Sequence, residues 1–227
     1  TADVVVSVNP LESSRVGLLR RGAATISFLP TGQSLELVAA LRHARLTSFA
    51  LELVPRISRA QSMDALSSQA LVAGYRGAIV AAGLMRRFFP QNMTAAGTIQ
   101  PAQVVVLGAG VAGLQAIATS KRLGAVVKAY DVRPETREQA ESLGAQFVKL
   151  KTTIDATGAG GYARELTPEE RAAQQAELNE VIAGMDIVIT TAQVPGRKPP
   201  VLVTADAVKA MKPGSVIVDM AASTLGG

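Results

Sequence analysis

Three glycines and one acid set out the chemistry this chain can do. Residues 104–113 read VVVLGAGVAG, a branched apolar run ending in Gly108, Gly110 and Gly113, and the next apolar run, AVVKAYD, closes in Asp131. A strand that breaks into a glycine turn and then a helix is the pattern of a dinucleotide-binding unit. Gly108 permits the tight turn, Gly110 lets the backbone approach a pyrophosphate, and Gly113 lets the helix pack close to the sheet. The helix opening at Val111 and Ala112 points unbonded N–H groups and the positive end of its dipole at phosphates. Asp131, at the expected tip of the second strand and followed by Val132 and Arg133, can accept both hydroxyls of an adenosine ribose. Its charge repels a 2'-phosphate, which favours NAD over NADP. Arg133 is the complication, since its cation can neutralise such a phosphate.

Those residues need a parallel sheet with helices beside it, and the order of elements predicts one. The first third alternates DVVVSV, a helix-like ESSRVGLLRRG, ATISFL, a helix-like GQSLELVAALRHA, and SFALEL, a β-α-β-α-β series. A loop, VPRISRAQSMD, precedes a long helix-like segment from about Ala65 to Phe88. Beyond the glycine turn come strand AVVKAYD, helix PETREQAESLG, strand AQFVKL and the long polar stretch KTTIDATGAGGYAREL. Thr167-Pro168-Glu169-Glu170 matches a capping box for a helix running to about Gly184. Strand DIVITTA, loop QVPGRKPP, helix TADAVKAMK and strand SVIVDM complete the series. The predicted fold is α/β: two doubly wound, Rossmann-like parallel-sheet units, residues 1–66 and 67–227, with a cleft between them and the long helix leading into the second. Both chain ends read as internal to a longer polypeptide.

Composition narrows the function classes. At 227 residues, 48% hydrophobic and 18% charged, the chain can hold two modest α/β units. No stretch approaches about twenty uninterrupted apolar residues, so none reads as a membrane span. The lack of cysteine excludes disulfides, thiolate catalysis and cysteine-ligated metals, and the single histidine, His43, reads as a solvated side chain in LRHAR, so no metal site is expected. The net charge of +5 comes without a basic helix and with only 4% aromatic residues, a poor match to a nucleic-acid binder.

With these pieces placed, the chain resembles the NAD(H)-binding component, domain I of the alpha subunit, of proton-translocating nicotinamide nucleotide transhydrogenase. The likeness rests on PRISRAQSMDALSSQALVAGYRGAI, on MTAAGTIQPAQVVVLGAGVAGLQAIATSKRLGAVVKAYDVRPETREQAESLGA, on GGYARE, and on TTAQVPGRKPPVL followed by MKPGSVIVDMA. It implies NAD(H) bound in this chain and hydride passed directly to NADP(H) on a partner domain, coupled to proton movement by a separate membrane domain. It also implies a homodimer, peripheral on the cytoplasmic face of the bacterial inner membrane. Such chemistry needs positioning and water exclusion rather than a side-chain nucleophile or a metal.

The resemblance also assigns residues. Arg56 and Ser67 would hold the nicotinamide carboxamide, Gln61 would reach toward the partner's NADP nucleotide, and Asp64 would orient its neighbours. On the residues alone, VPRISRAQSMD reads as an interdomain loop whose Asp64 caps the following helix. Tyr162, in GGYARE, would be a lid over the nucleotide; on sequence alone it is an exposed tyrosine among the hinge glycines Gly158, Gly160 and Gly161. Thr191 and Ala192, at the end of a strand, would offer backbone contacts to the nicotinamide half. The related alanine dehydrogenase is the rival reading. That enzyme uses a lysine and a histidine from its first unit, whereas VVVSVNP carries no lysine, ISFLPTG carries no histidine, and Ser7 and Asn9 depart from the usual transhydrogenase pattern too. A non-catalytic NAD-binding module is the third.

Overall fold

The structure is a computed structural model and describes residues 2–150, 167–193, 198–223 and 226. The chain divides into two compact units, Thr1–Gln69 and Ala70–Gly227. The first holds three parallel strands in the order β1 (Val4–Val6), β2 (Ala24–Ser27) and β3 (Thr47–Ala50). Its crossovers are α1 (Ser13–Val16) and α2 (Leu35–His43). Val16 of α1 joins Leu37 and Leu41 of α2 and Leu29 in one small core, so both helices cover the same face of the sheet. This follows from strand order: a sheet built in one direction by right-handed crossovers keeps its helices on one side.

The second unit shows what two-sided winding requires. Its five strands are all parallel and lie in the order β10 (Val216–Asp219), β9 (Ile187–Thr190), β6 (Gln103–Leu107), β7 (Val126–Tyr130), β8 (Gln146–Phe147). The chain builds from β6 outward to β8, then returns to the other side of β6, so the order reverses between β6 and β9. Alternation along β6 sorts its side chains: Val104 and Val106 join Ala116 and Ile117 of α4 (Val111–Arg122) and Ala140 of α5 (Thr136–Ser142). Val105 and Leu107 join Leu178 and Ile182 of α6 (Pro168–Ala183) and Ala207 of α7 (Ala205–Ala210). Covered on both faces, β6 and β9 can be apolar at every position, as the sequence runs VVVL and IVI show.

Several expectations shift: ESSRVGLLRRG is α-helical only over Ser13–Val16, and AQFVKL is strand only over Gln146–Phe147. The long helix, α3 (Ala65–Leu84), stops before Phe88, because Phe89 turns into the core and Arg87 reaches Asp186. SFALEL is strand only to Ala50; Leu51–Leu53 winds as a 3-10 turn, and both carboxylate oxygens of Glu52 accept the Leu29 N–H, at 2.9 and 2.8 Å. An antiparallel hairpin, β4 (Asn92–Thr94) with β5 (Gly97–Ile99), forms where no strand was expected. Strands of three residues carry too little alternation to be read.

Candidate functional site

The glycine turn is assembled by contacts a methyl group would block. Gly108 lies at φ +103°, where a Cβ would also stand 2.6 Å from the Thr191 hydroxyl. That hydroxyl donates to the Gly108 carbonyl at 2.9 Å, tying the end of β9 to the turn after β6. A Cβ on Gly113 would lie 1.8 Å from the Gly108 carbonyl oxygen, so α4 sits directly on the turn. Behind α4, a Cβ on Gly74 would come within 2.1 Å of the Ala112 carbonyl oxygen, which fixes α3 against the first turn of α4. Gly110 differs: among the described residues its Cβ position meets only Arg133 Nη2, at 3.9 Å. Among the described residues no side chain caps α4 at Gly110, which leaves the first-turn N–H groups of Val111, Ala112 and Gly113 as anion donors.

Asp131 follows the last residue of β7 and faces this turn. Its Oδ2 accepts the Ala109 N–H at 2.7 Å and Arg133 Nη2 at 3.0 Å; its Oδ1 accepts the Arg133 backbone N–H at 2.9 Å and Nε at 3.0 Å. The carboxylate is 7% exposed. Ala192 stands beside Gly108, and Val132 packs against the core on the α6 face. The structure therefore brings together Gly108, Gly110, Val111, Ala112, Gly113, Asp131, Arg133, Thr191 and Ala192. Tyr162 lies outside the described residues.

Arg56, Gln61, Asp64 and Ser67 gather within the first unit. The loop that precedes α3 is a 3-10 turn, Ser58–Met63, and Arg56, Gln61 and Asp64 line a depression of about 380 Å³ with Pro55 and Ser58. Asp64 caps α3: Oδ1 accepts the Ser67 N–H at 2.9 Å, and Oδ2 accepts the Ser67 hydroxyl at 2.6 Å. These bonds hold the Asp64 carboxyl below its ordinary 3.8, the Ser67 hydroxyl contributing most, with the Arg56 charge as a further cause. Any stability the cap adds is thus complete above 3.8 and lost as pH falls through the lowered value. Capping and orientation coincide here, since the bonds that start the helix also fix the Ser67 side chain.

Sequence reasoning missed one acid at this end of the sheet. Asp219 closes β10, and its Oδ1 accepts the Thr190 hydroxyl at 2.5 Å and the N–H groups of Ala221 and Ala222 at 2.8 and 3.1 Å. Its signal was present: SVIVD is an apolar run closing in Asp, as AVVKAYD is.

Residues 77–227 match the family model described as alanine dehydrogenase/PNT, C-terminal domain, and residues 1–73 match the corresponding N-terminal domain. The chain belongs to the alanine dehydrogenase/PNT family. Within it, the chain is 52% identical over 222 residues to NAD(P) transhydrogenase subunit alpha of Cereibacter sphaeroides, covering 97% of this chain and 42% of the relative. The crystal structure of transhydrogenase from Sinorhizobium meliloti superposes with a TM-score of 0.83 at 47% identity, covering 97% of this chain and 59% of that one. Alanine dehydrogenase of Mycobacterium tuberculosis is more distant, 32% identical over 97% of this chain and 54% of its own. The chain spans about half the length of the curated relatives it matches. As a two-unit α/β member of the alanine dehydrogenase/PNT family, it carries the parallel sheets that its sequence predicts.

Proposed function

We propose that this chain is the NAD(H)-binding part of a nicotinamide nucleotide transhydrogenase, exchanging hydride with NADP(H) held by a partner domain. The observation that carries the reading is the uncapped start of α4, closed on one side by the Asp131 carboxylate, in a chain about half identical to named transhydrogenase alpha subunits. The fit to a dinucleotide is specific: Gly110 leaves the backbone open where a diphosphate would approach, and the first-turn amides of α4 face that opening, with the Arg133 guanidinium 3.9 Å from the Gly110 Cβ position. Bound NAD(H) would supply the hydride chemistry itself. The chain's own residues would do the rest. The α4 amides bind the diphosphate, Asp131 takes the adenosine ribose, and Arg56, Gln61, Asp64 and Ser67 orient the nicotinamide end. Thr191 and Ala192 border the turn on the β9 side.

The same reading makes the protein a peripheral, dimeric component on the cytoplasmic side of a bacterial membrane, coupled to proton translocation by a membrane domain. No helix among the described residues is long and apolar enough to cross a membrane. The match to alanine dehydrogenases supports the second reading, amino-acid oxidation. One experiment separates them: purified full-length protein mixed with the NADP-binding partner domain, reduced NADP and an NAD analogue. Exchange without added amino acid is expected; pyruvate formed from alanine and NAD instead selects the dehydrogenase, and nucleotide binding without turnover selects a non-catalytic module.

A further inference from the structure

Asp131 already carries as many donors as a carboxylate holds. An ionised carboxyl group offers about four acceptor positions, and four donors fill them: the Ala109 N–H, the Arg133 N–H, and Arg133 Nε and Nη2. A ribose diol needs two of those positions. The two main-chain donors cannot leave, because Ala109 belongs to the turn after β6 and the Arg133 N–H is fixed two residues beyond the carboxylate. The other two sit on one guanidinium, 22% exposed and hung on rotatable bonds. Only the fork can be vacated.

We propose that Arg133 is an internal competitor for Asp131: it holds the two carboxylate positions that a ribose diol takes, weakening NADH binding and softening the preference for NADH over NADPH. The proposal rests on the nucleotide-binding reading above. Competition follows from the count of lone pairs. Selectivity follows from charge. A guanidinium that forks a carboxylate forks a phosphate equally well, so with Arg133 in place a 2'-phosphate meets a cation together with the anion. Without it, Asp131 is a mostly buried, unpaired anion that draws hydroxyl donors and repels phosphate.

The test compares NADH and NADPH dissociation constants, by calorimetry, for the full-length wild type, Arg133→Ala and Arg133→Lys. Arg133→Ala is expected to bind NADH roughly tenfold tighter (~1.4 kcal/mol) and NADPH no tighter. Arg133→Lys keeps the charge but cannot fork; it should fall between, and carries the test alone should the alanine variant not fold. In an Asp131→Asn background, Arg133→Ala should bring no tightening, since the contested charge is gone. Unchanged or weaker NADH binding by the Arg133 variants overturns the competitor, as does tightening that persists in the Asp131→Asn background. A wild type that binds neither nucleotide removes the underlying reading as well, which separates the two failures.

Discussion

Tyr130 ends β7 one residue before Asp131, with its ring in the core on the α6 face. Burial, then the charges of Asp131 and Glu177, push its phenol from 10.0 up to about 12. The sign is set by which state ionises first: the unfolded phenol does, so stability is full below pH 10.0 and falls as pH rises through about 12. Tyr130→Phe should flatten that alkaline loss, measured as urea midpoints across the range. A spectroscopic titration in which every phenol of the folded wild type ionises near 10.0 would sink the argument. Sequence showed a tyrosine at a strand end; its surroundings come from α6, far along the chain.

The helix glycines differ in what a methyl group would meet. Alanine normally stabilises a helix interior by about 1 kcal/mol over glycine. Gly83, in α3, has nothing among the described residues within 4 Å of its Cβ position, and Gly83→Ala should be neutral or mildly stabilising. Gly113→Ala puts a methyl 1.8 Å from a backbone oxygen, so α4 must leave the turn; a loss of about 3 kcal/mol or more is expected. Equal denaturation midpoints for the two variants would show that α4 does not depend on this approach. The role of Gly113 was legible because glycine spacing in a strand-turn-helix unit is local. The need for Gly74 was not, since it depends on α3 crossing α4 at Ala112, and GYRG reads like any other stretch of a helix.

At the scale of the whole second unit, one acid ties together segments that start and finish the sheet. Asp186, buried just before β9, accepts Arg87 Nη1 at 3.0 Å, Lys212 Nζ at 3.2 Å and the Gln103 N–H at 2.9 Å. Removing the charge leaves two cations without their partner and weakens the entry to β6. Asp186→Asn should cost about 2–4 kcal/mol, read from urea unfolding, and should leave nucleotide affinity unchanged because the cluster lies at the opposite end of the strands from the glycine turn. Stability equal to wild type would mean that the arginine and lysine bonds add nothing net.

The alternation of parallel strands and helices, the apolar strands and the glycine turn with its strand-end acid were legible in the residues alone, because turn chemistry and side-chain period act over neighbouring residues; the β4–β5 hairpin was not. The sequence by itself did not determine that the Asp131 carboxylate would be filled, or that Asp186 would be the buried anchor. Asp186 depends on donors brought in from elsewhere and Asp131 does so in part: Arg133, two residues on, supplies three of its donors, but Ala109 reaches it only through the parallel register of β6 and β7, and Arg87 and Lys212 reach Asp186 only once the sheet is closed over its ends. Hydrogen bonds and ion pairs of that kind are decided by packing across the chain, which no local pattern encodes.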